Sequence, residues 1–105
     1  MALNKGYSFI SAVQMNKLHP DTFEIPTAEE RFNLNPGDHV KLLFKPRTKD
    51  GIVERMWVKV YKRMKEGVYE GVLDSDPLYD LKEVILRDNA VFFRPDSIAD
   101  ILKKK

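Results

Sequence analysis

The 105 residues predict an α+β, mostly β fold: a small, strongly bent antiparallel sheet or SH3-like barrel with short N- and C-terminal helices. Three observations predict it. Apolar and polar residues alternate over 39–44 and 55–63, with further strand-like runs over 68–73 and 90–94; turn residues separate these runs at short intervals; and helical apolar spacing is confined to the two ends. At 43% hydrophobic and 32% charged residues, the chain suits one domain, 1–105, with an ordinary core.

From residue 8 to 18, Phe9, Ile10, Val13 and Leu18 form one stripe with Met15 off it, a short amphipathic helix stopped by His19-Pro20. Thr27-Ala-Glu-Glu30 has the form of a helix start with an acid three positions on, though a loop serves equally well there. Phe23, Ile25, Phe32 and Leu34 are expected to pin this segment to the core. Asn35-Pro-Gly-Asp38 is a turn, since Pro presets its backbone angle and Gly accepts positive φ. The strand after it turns Val40, Leu42 and Phe44 inward and His39, Lys41 and Leu43 outward. A basic loop, 45–54, is centred on the hairpin pair Asp50-Gly51; the strand 52–61, the turn Lys65-Glu66-Gly67 and the strand 68–73 complete a meander. Asp74-Ser-Asp-Pro77 is a polar turn, and 78–86 fits either a helical turn or an irregular strand. Arg87-Asp-Asn89 turns the chain into a last strand with Phe92 or Phe93 inward. Asp96 or Ser97 then caps a C-terminal helix whose stripe is Ile98, Ile101 and Leu102, with Lys103, Lys104 and Lys105 complementing its dipole.

The formal charge of +2 conceals an uneven distribution. Residues 41–65 carry nine basic and two acidic side chains, a net +7; residues 66–102 carry three basic and nine acidic, a net −6. Two arrangements are open: a dipolar molecule with one anion-attracting face, or neighbouring strands whose charges cancel. There is no cysteine, so disulfides and thiolate metal sites are excluded, and a reducing cytoplasm is expected. No basic-then-apolar leader opens the chain and no apolar run approaches about 20 residues, so neither export nor a membrane is expected.

The segment Arg55-Met-Trp-Val-Lys-Val-Tyr-Lys-Arg63 carries the functional reading. In an extended strand Met56, Val58 and Val60 share one face, and Arg55, Trp57, Lys59, Tyr61 and Arg63 the other. Aromatics interleaved with cations stack bases and neutralise phosphates, and Lys45, Arg47 and Lys49 would extend the patch. The expected function is a non-enzymatic binding module for an anionic partner, nucleic acid or an acidic protein surface. Packing of Trp57 beneath a terminal helix, with the cations snorkelling around it, explains the same residues structurally.

Chemistry finds less support. His19 and His39 lie 20 residues apart without ligand spacing, so no metal or other cofactor is expected. Ser8, Ser11, Ser75 and Ser97 lack a nucleophile elbow, and the five glycines stand singly rather than in a phosphate-binding loop. The alternative from another class is a small enzyme or ligand-binding domain using Asp74, Asp76 and Asp80 with Tyr79, although local turn bonding accounts for the same acids. Oligomeric state is not legible.

Gly37-Asp38, Glu54-Arg-Met-Trp-Val-Lys-Val60, Gly71-Val-Leu-Asp-Ser-Asp-Pro77, a last strand and a terminal Ile-rich helix together resemble the DUF2314-type small bacterial domains, over roughly 37–101. Where such domains carry a Gly-Asp turn, this chain has Arg87-Asp-Asn89. The resemblance implies a β-rich fold and a bacterial source; that family has no characterised reaction, and no site residue is carried over. An immunity-type protein–protein interaction domain is compatible with the size and this resemblance.

Overall fold

A computed structural model describes residues 4–48 and 50–105. In chain order it contains β1 (Tyr7–Phe9), α1 (Ala12–Leu18), α2 (Ala28–Phe32), β2 (His39–Pro46), β3 (Glu54–Arg63), β4 (Tyr69–Leu73), β5 (Ala90–Phe93) and β6 (Ile98–Leu102). Short 3-10 turns occupy Lys65–Gly67, Asp80–Glu83 and Pro95–Ser97. The strands form one strongly curled antiparallel half-barrel in the order β1-β2-β3-β4-β5, with β6 added to β2.

β2 organises the sheet because its inward residues Val40, Leu42 and Phe44 are fully buried, Leu43 is buried on the other face beneath the 22–26 segment, and the strand is long enough to serve three partners. β3 takes one edge. The other is shared end to end, with β6 along His39 to Leu42 and β1 along Phe44 to Pro46. Inside the curl, Tyr7, Phe9 and Phe44 form an aromatic cluster with centroids 5.1–5.8 Å apart, and Tyr69 stacks on Phe93 at 5.6 Å. These interior aromatics join Met56, Val58, Val60, Leu73, Leu81, Val91 and Ile98 in one core. Tight bending needs Gly71: a Cβ there would meet Val58 Cγ1 at 2.5 Å and the Lys59 carbonyl oxygen at 2.6 Å.

The far edge, β5, is closed by a side chain instead of a strand. Asn4 Nδ2 donates to the Phe92 carbonyl at 2.7 Å, and Asn4 Oδ1 accepts from the Phe92 N–H at 3.1 Å, so one amide reproduces both bonds of a strand neighbour. The Tyr7 hydroxyl donates to the same Oδ1 at 2.9 Å, and burial pushes its pKa up to about 12, which keeps it a donor.

Several sequence expectations change. The C-terminal helix is a strand: Pro95–Ser97 makes a 3-10 turn, and Ile98–Leu102 pairs with β2 across a bulge between Lys41 and Leu42. A helix this short forms few internal hydrogen bonds for its nucleation cost, whereas the open edge of β2 supplies ready partners. The N-terminal helix begins later than its apolar stripe suggests. Phe9 lies in β1 and Ile10 donates its N–H to Leu43, and α1 starts after Ser11, which accepts from the Gln14 N–H. Of the open alternatives, Thr27 caps a true helix through a reciprocal capping box with Glu30, and 78–86 contains a 3-10 turn. The Asn35-Pro-Gly-Asp38 turn is present, with Gly37 at φ +96°.

Candidate functional site

Strand alternation places Arg55, Trp57 and Lys59 on the outer face of β3, opposite Leu43, Lys41 and His39 of β2. Lys45 continues the outward row of β2, and Arg47 follows it, exposed, in the loop. Lys49 lies outside the described residues. Trp57 is half-buried: the Lys41 ammonium sits 4.9 Å from its ring centroid, and its backbone is tied to Ser75 Oγ and the Asp74 N–H. Beside it the Arg55 guanidinium lies 5.7 Å from the Phe23 ring, where the 22–26 segment crosses the sheet. That crossing frames a groove of about 510 Å³ with Lys41, Leu43 and Arg55 on its floor and Phe23 and Ile25 on its wall.

The predicted row does not continue to Arg63. The β3–β4 register shifts between Val60 and Lys62, so Tyr61 is an extra residue in the ladder. One inserted residue reverses the alternation beyond it. Tyr61 and Lys62 therefore both lie outward, Tyr61 60% exposed and Lys62 3.9 Å from Glu70 of β4. Arg63 turns to the other side. Its guanidinium lies 5.4 Å from the Tyr69 ring centroid and donates through Nη2 to the Phe32 carbonyl at 2.8 Å and the Tyr69 hydroxyl at 3.2 Å. Sequence reasoning assigned Arg63 to the outer face and omitted Lys41 and Lys62 from the site. Lys41 was legible as an outward β2 position opposite β3; the bulge that redirects Arg63 and Lys62 is marked only by Gly71 on the partner strand, which pairs with Val60 where the register shifts.

A polar network borders this face. His39 Nε2 pairs with Asp74 Oδ2 at 2.8 Å, while Arg87 reaches Asp74 Oδ1 at 2.7 Å and Asp76 Oδ1 at 2.9 Å. Hydrogen bonding to Arg87 and its charge hold the Asp76 carboxyl below the ordinary carboxylate value. Asp80 opens a 3-10 turn apart from this network, and the adjacent Leu78 and Tyr79 amides are held by the buried Glu54 carboxylate at 2.8 and 3.2 Å. Asp74 and Asp76 are thus engaged by His39 and Arg87 rather than left free for a substrate. Among the described residues, no three His, Asp or Glu side chains converge as metal ligands.

The charge question is also settled locally. Among the described residues, Lys41, Lys45, Arg47, Arg55 and Lys59 make no ion pair, and Lys62–Glu70 is the one bridge joining the basic segment to the acidic one. Fold and site together define a curled half-barrel with a cationic, aromatic outer face. No family profile matches this chain, no curated protein resembles it, and no solved structure matches it.

Proposed function

We propose that the protein is a non-enzymatic binding module whose β2–β3 outer face receives single-stranded nucleic acid. The observation that carries this reading is that Lys41, Lys45, Arg47, Arg55 and Lys59, around Trp57 and the exposed Tyr61, make no ion pair among the described residues, while Asp74 and Asp76 are occupied by Arg87. Cations left without carboxylates offer their charge to phosphates, and exposed rings accept bases without sequence preference. Kinship with DUF2314-type domains and a bacterial, cytoplasmic setting belong to the same proposal. No helix among the described residues is long and apolar enough to cross a membrane.

The test is an amide-resolved titration with mixed single-stranded DNA and RNA at low and high salt. Binding should move the Trp57 indole and the amides of β2 and β3, weaken by about 0.7 logarithmic units per phosphate contact for each tenfold rise in salt, and disappear in Trp57→Ala or Lys59→Glu. Binding indifferent to both substitutions and to salt would refute the proposal.

A further inference from the structure

The bulge that removes Arg63 from the outer face delivers it to a second feature. Beyond Tyr61 the β3–β4 hairpin and the end of β5 enclose an open cleft of about 820 Å³, walled by Lys62, Arg63, Lys65 and Arg94, with Met64 and Val68 as its apolar lining. Glu66 is the one acid on its rim. Four cations against one carboxylate leave a net +3, and the cations come from the last turn of β3, the hairpin and the residue after β5.

The two guanidiniums are already oriented. Arg63 commits Nη2 to the Phe32 carbonyl and the Tyr69 hydroxyl, and Arg94 commits Nη1 to the Glu66 carbonyl at 2.8 Å. Neither, among the described residues, has a carboxylate within ion-pair distance. Their remaining N–H groups are thus available in fixed planes, an arrangement suited to phosphate oxygens. Holding a guanidinium by carbonyls lowers the ordering cost of binding without cancelling its charge.

We infer that this cleft is a phosphate-binding subsite, distinct from the outer face and joined to it through Tyr61 and Lys62. The identification of the phosphate as part of a nucleic-acid strand rests on the function proposed above; the subsite itself rests on the cleft. Lys59 and Arg63 are four residues apart along β3, about 13 Å at strand spacing, which is about four nucleotides at 3.4 Å per phosphate and fewer in a stretched strand. A strand crossing Trp57 and Lys59 therefore passes Tyr61 at the seam and places a later phosphate between Arg63 and Arg94. A dinucleotide is too short to occupy both regions.

The experiment compares wild-type protein with the Lys65→Gln/Arg94→Gln double variant, two exposed positions chosen to spare the Arg63 bonds to Phe32 and Tyr69, with thermal melting as the folding control. Pyrophosphate, a thymidine dinucleotide and a thymidine decanucleotide are the probes, read by amide shifts. Pyrophosphate should move the amides of Glu66, Gly67, Val68 and Arg94 in wild type and not in the variant. The decanucleotide should move both regions, bind the variant about tenfold more weakly, and lose about 1.4 from its salt slope for two missing contacts. The dinucleotide should bind both proteins equally at the outer face. Cleft amides silent to pyrophosphate and decanucleotide alike, or a decanucleotide affinity unchanged in the folded variant, would overturn the subsite while leaving the outer face untouched. Pyrophosphate shifts in the cleft with no oligonucleotide binding anywhere would uphold the subsite as a small-anion site and reject the nucleic-acid reading.

Discussion

Asp38→Asn tests why the chain ends in a strand. Asp38 is only 2% exposed, and its carboxylate accepts the Asn35 N–H on Oδ2 and the Lys104 N–H on Oδ1, both at 2.9 Å, with Lys103 Nζ 3.3 Å from Oδ2. It thereby fastens the residues after β6 to the turn that starts β2. Burial pushes its pKa up, but the amides of Lys104 and Asn35 and the Lys103 ammonium outweigh that and hold it below the ordinary 3.8. Asparagine keeps the shape yet presents an NH₂ to one of the two amides, leaving a buried donor facing a donor. A bond to a charged group is lost and a buried N–H goes unsatisfied, a cost of about 2–3 kcal/mol. For a domain of this size that lowers the melting temperature by about 10–15 °C, and amide exchange should accelerate first in β6. The pH dependence follows the same group. Because the folded state favours the ionised form, its stabilisation is complete above the unfolded carboxyl value and is lost as pH falls through the lower folded value, so the variant should lose less stability than wild type between about pH 5 and pH 2. A melting temperature within about 3 °C of wild type, with β6 exchange and the acid limb unchanged, would show that the clamp contributes nothing and refute the reasoning.

Thr27→Ala removes the hydroxyl that accepts the Glu30 N–H and should cost about 1 kcal/mol by denaturant titration, because the five-residue α2 has few other bonds to hold it. Gly71→Ala forces a methyl group against Val58 and the Lys59 carbonyl, and calorimetry should show a loss of about 1–3 kcal/mol; an unchanged melting temperature would mean the bend is not sterically limited there. Arg87→Gln frees the Asp74 and Asp76 carboxylates beside Trp57 at an exposed position; stability should hardly change while oligonucleotide affinity falls most at low salt, and tighter binding would count against the electrostatic reading.

Alternation made β2 and the first half of β3 legible, since Val40, Leu42, Phe44, Met56, Val58 and Val60 are all buried as their spacing dictates. Turn chemistry did the same for Gly37 and for the Lys65-Glu66-Gly67 reversal, where Glu66 and Gly67 both have positive φ. The errors arise where a short segment fits two periods. Ile98, Ile101 and Leu102 satisfy a helical stripe, and only the vacant edge of β2, a tertiary fact, selects the strand. Phe9 and Ile10 joined the stripe of α1 for the same reason. At the site, the composition of β3 was readable but its direction was not: nothing in Val60-Tyr61-Lys62 declares which residue lacks a partner until Glu70 and Gly71 are set opposite. The Lys41 cap on Trp57 needed the β2–β3 register, and the meeting of Arg63 and Arg94 at one cleft needed the β4–β5 pairing.

The Asn4 amide on the edge of β5 guards backbone groups on which another strand could add. The bond joins positions 88 apart in sequence, so it forms only after the intervening sheet is in place and is the natural last step of closure. Proteolytic trimming through Asn4 would leave the core intact yet uncover the Phe92 N–H and carbonyl along an unprotected edge, the template on which a second chain adds as a strand. Asn4 thus guards the β5 edge at Phe92, and a preparation cleaved there should drift toward sheet-extended oligomers while its intact counterpart stays dispersed.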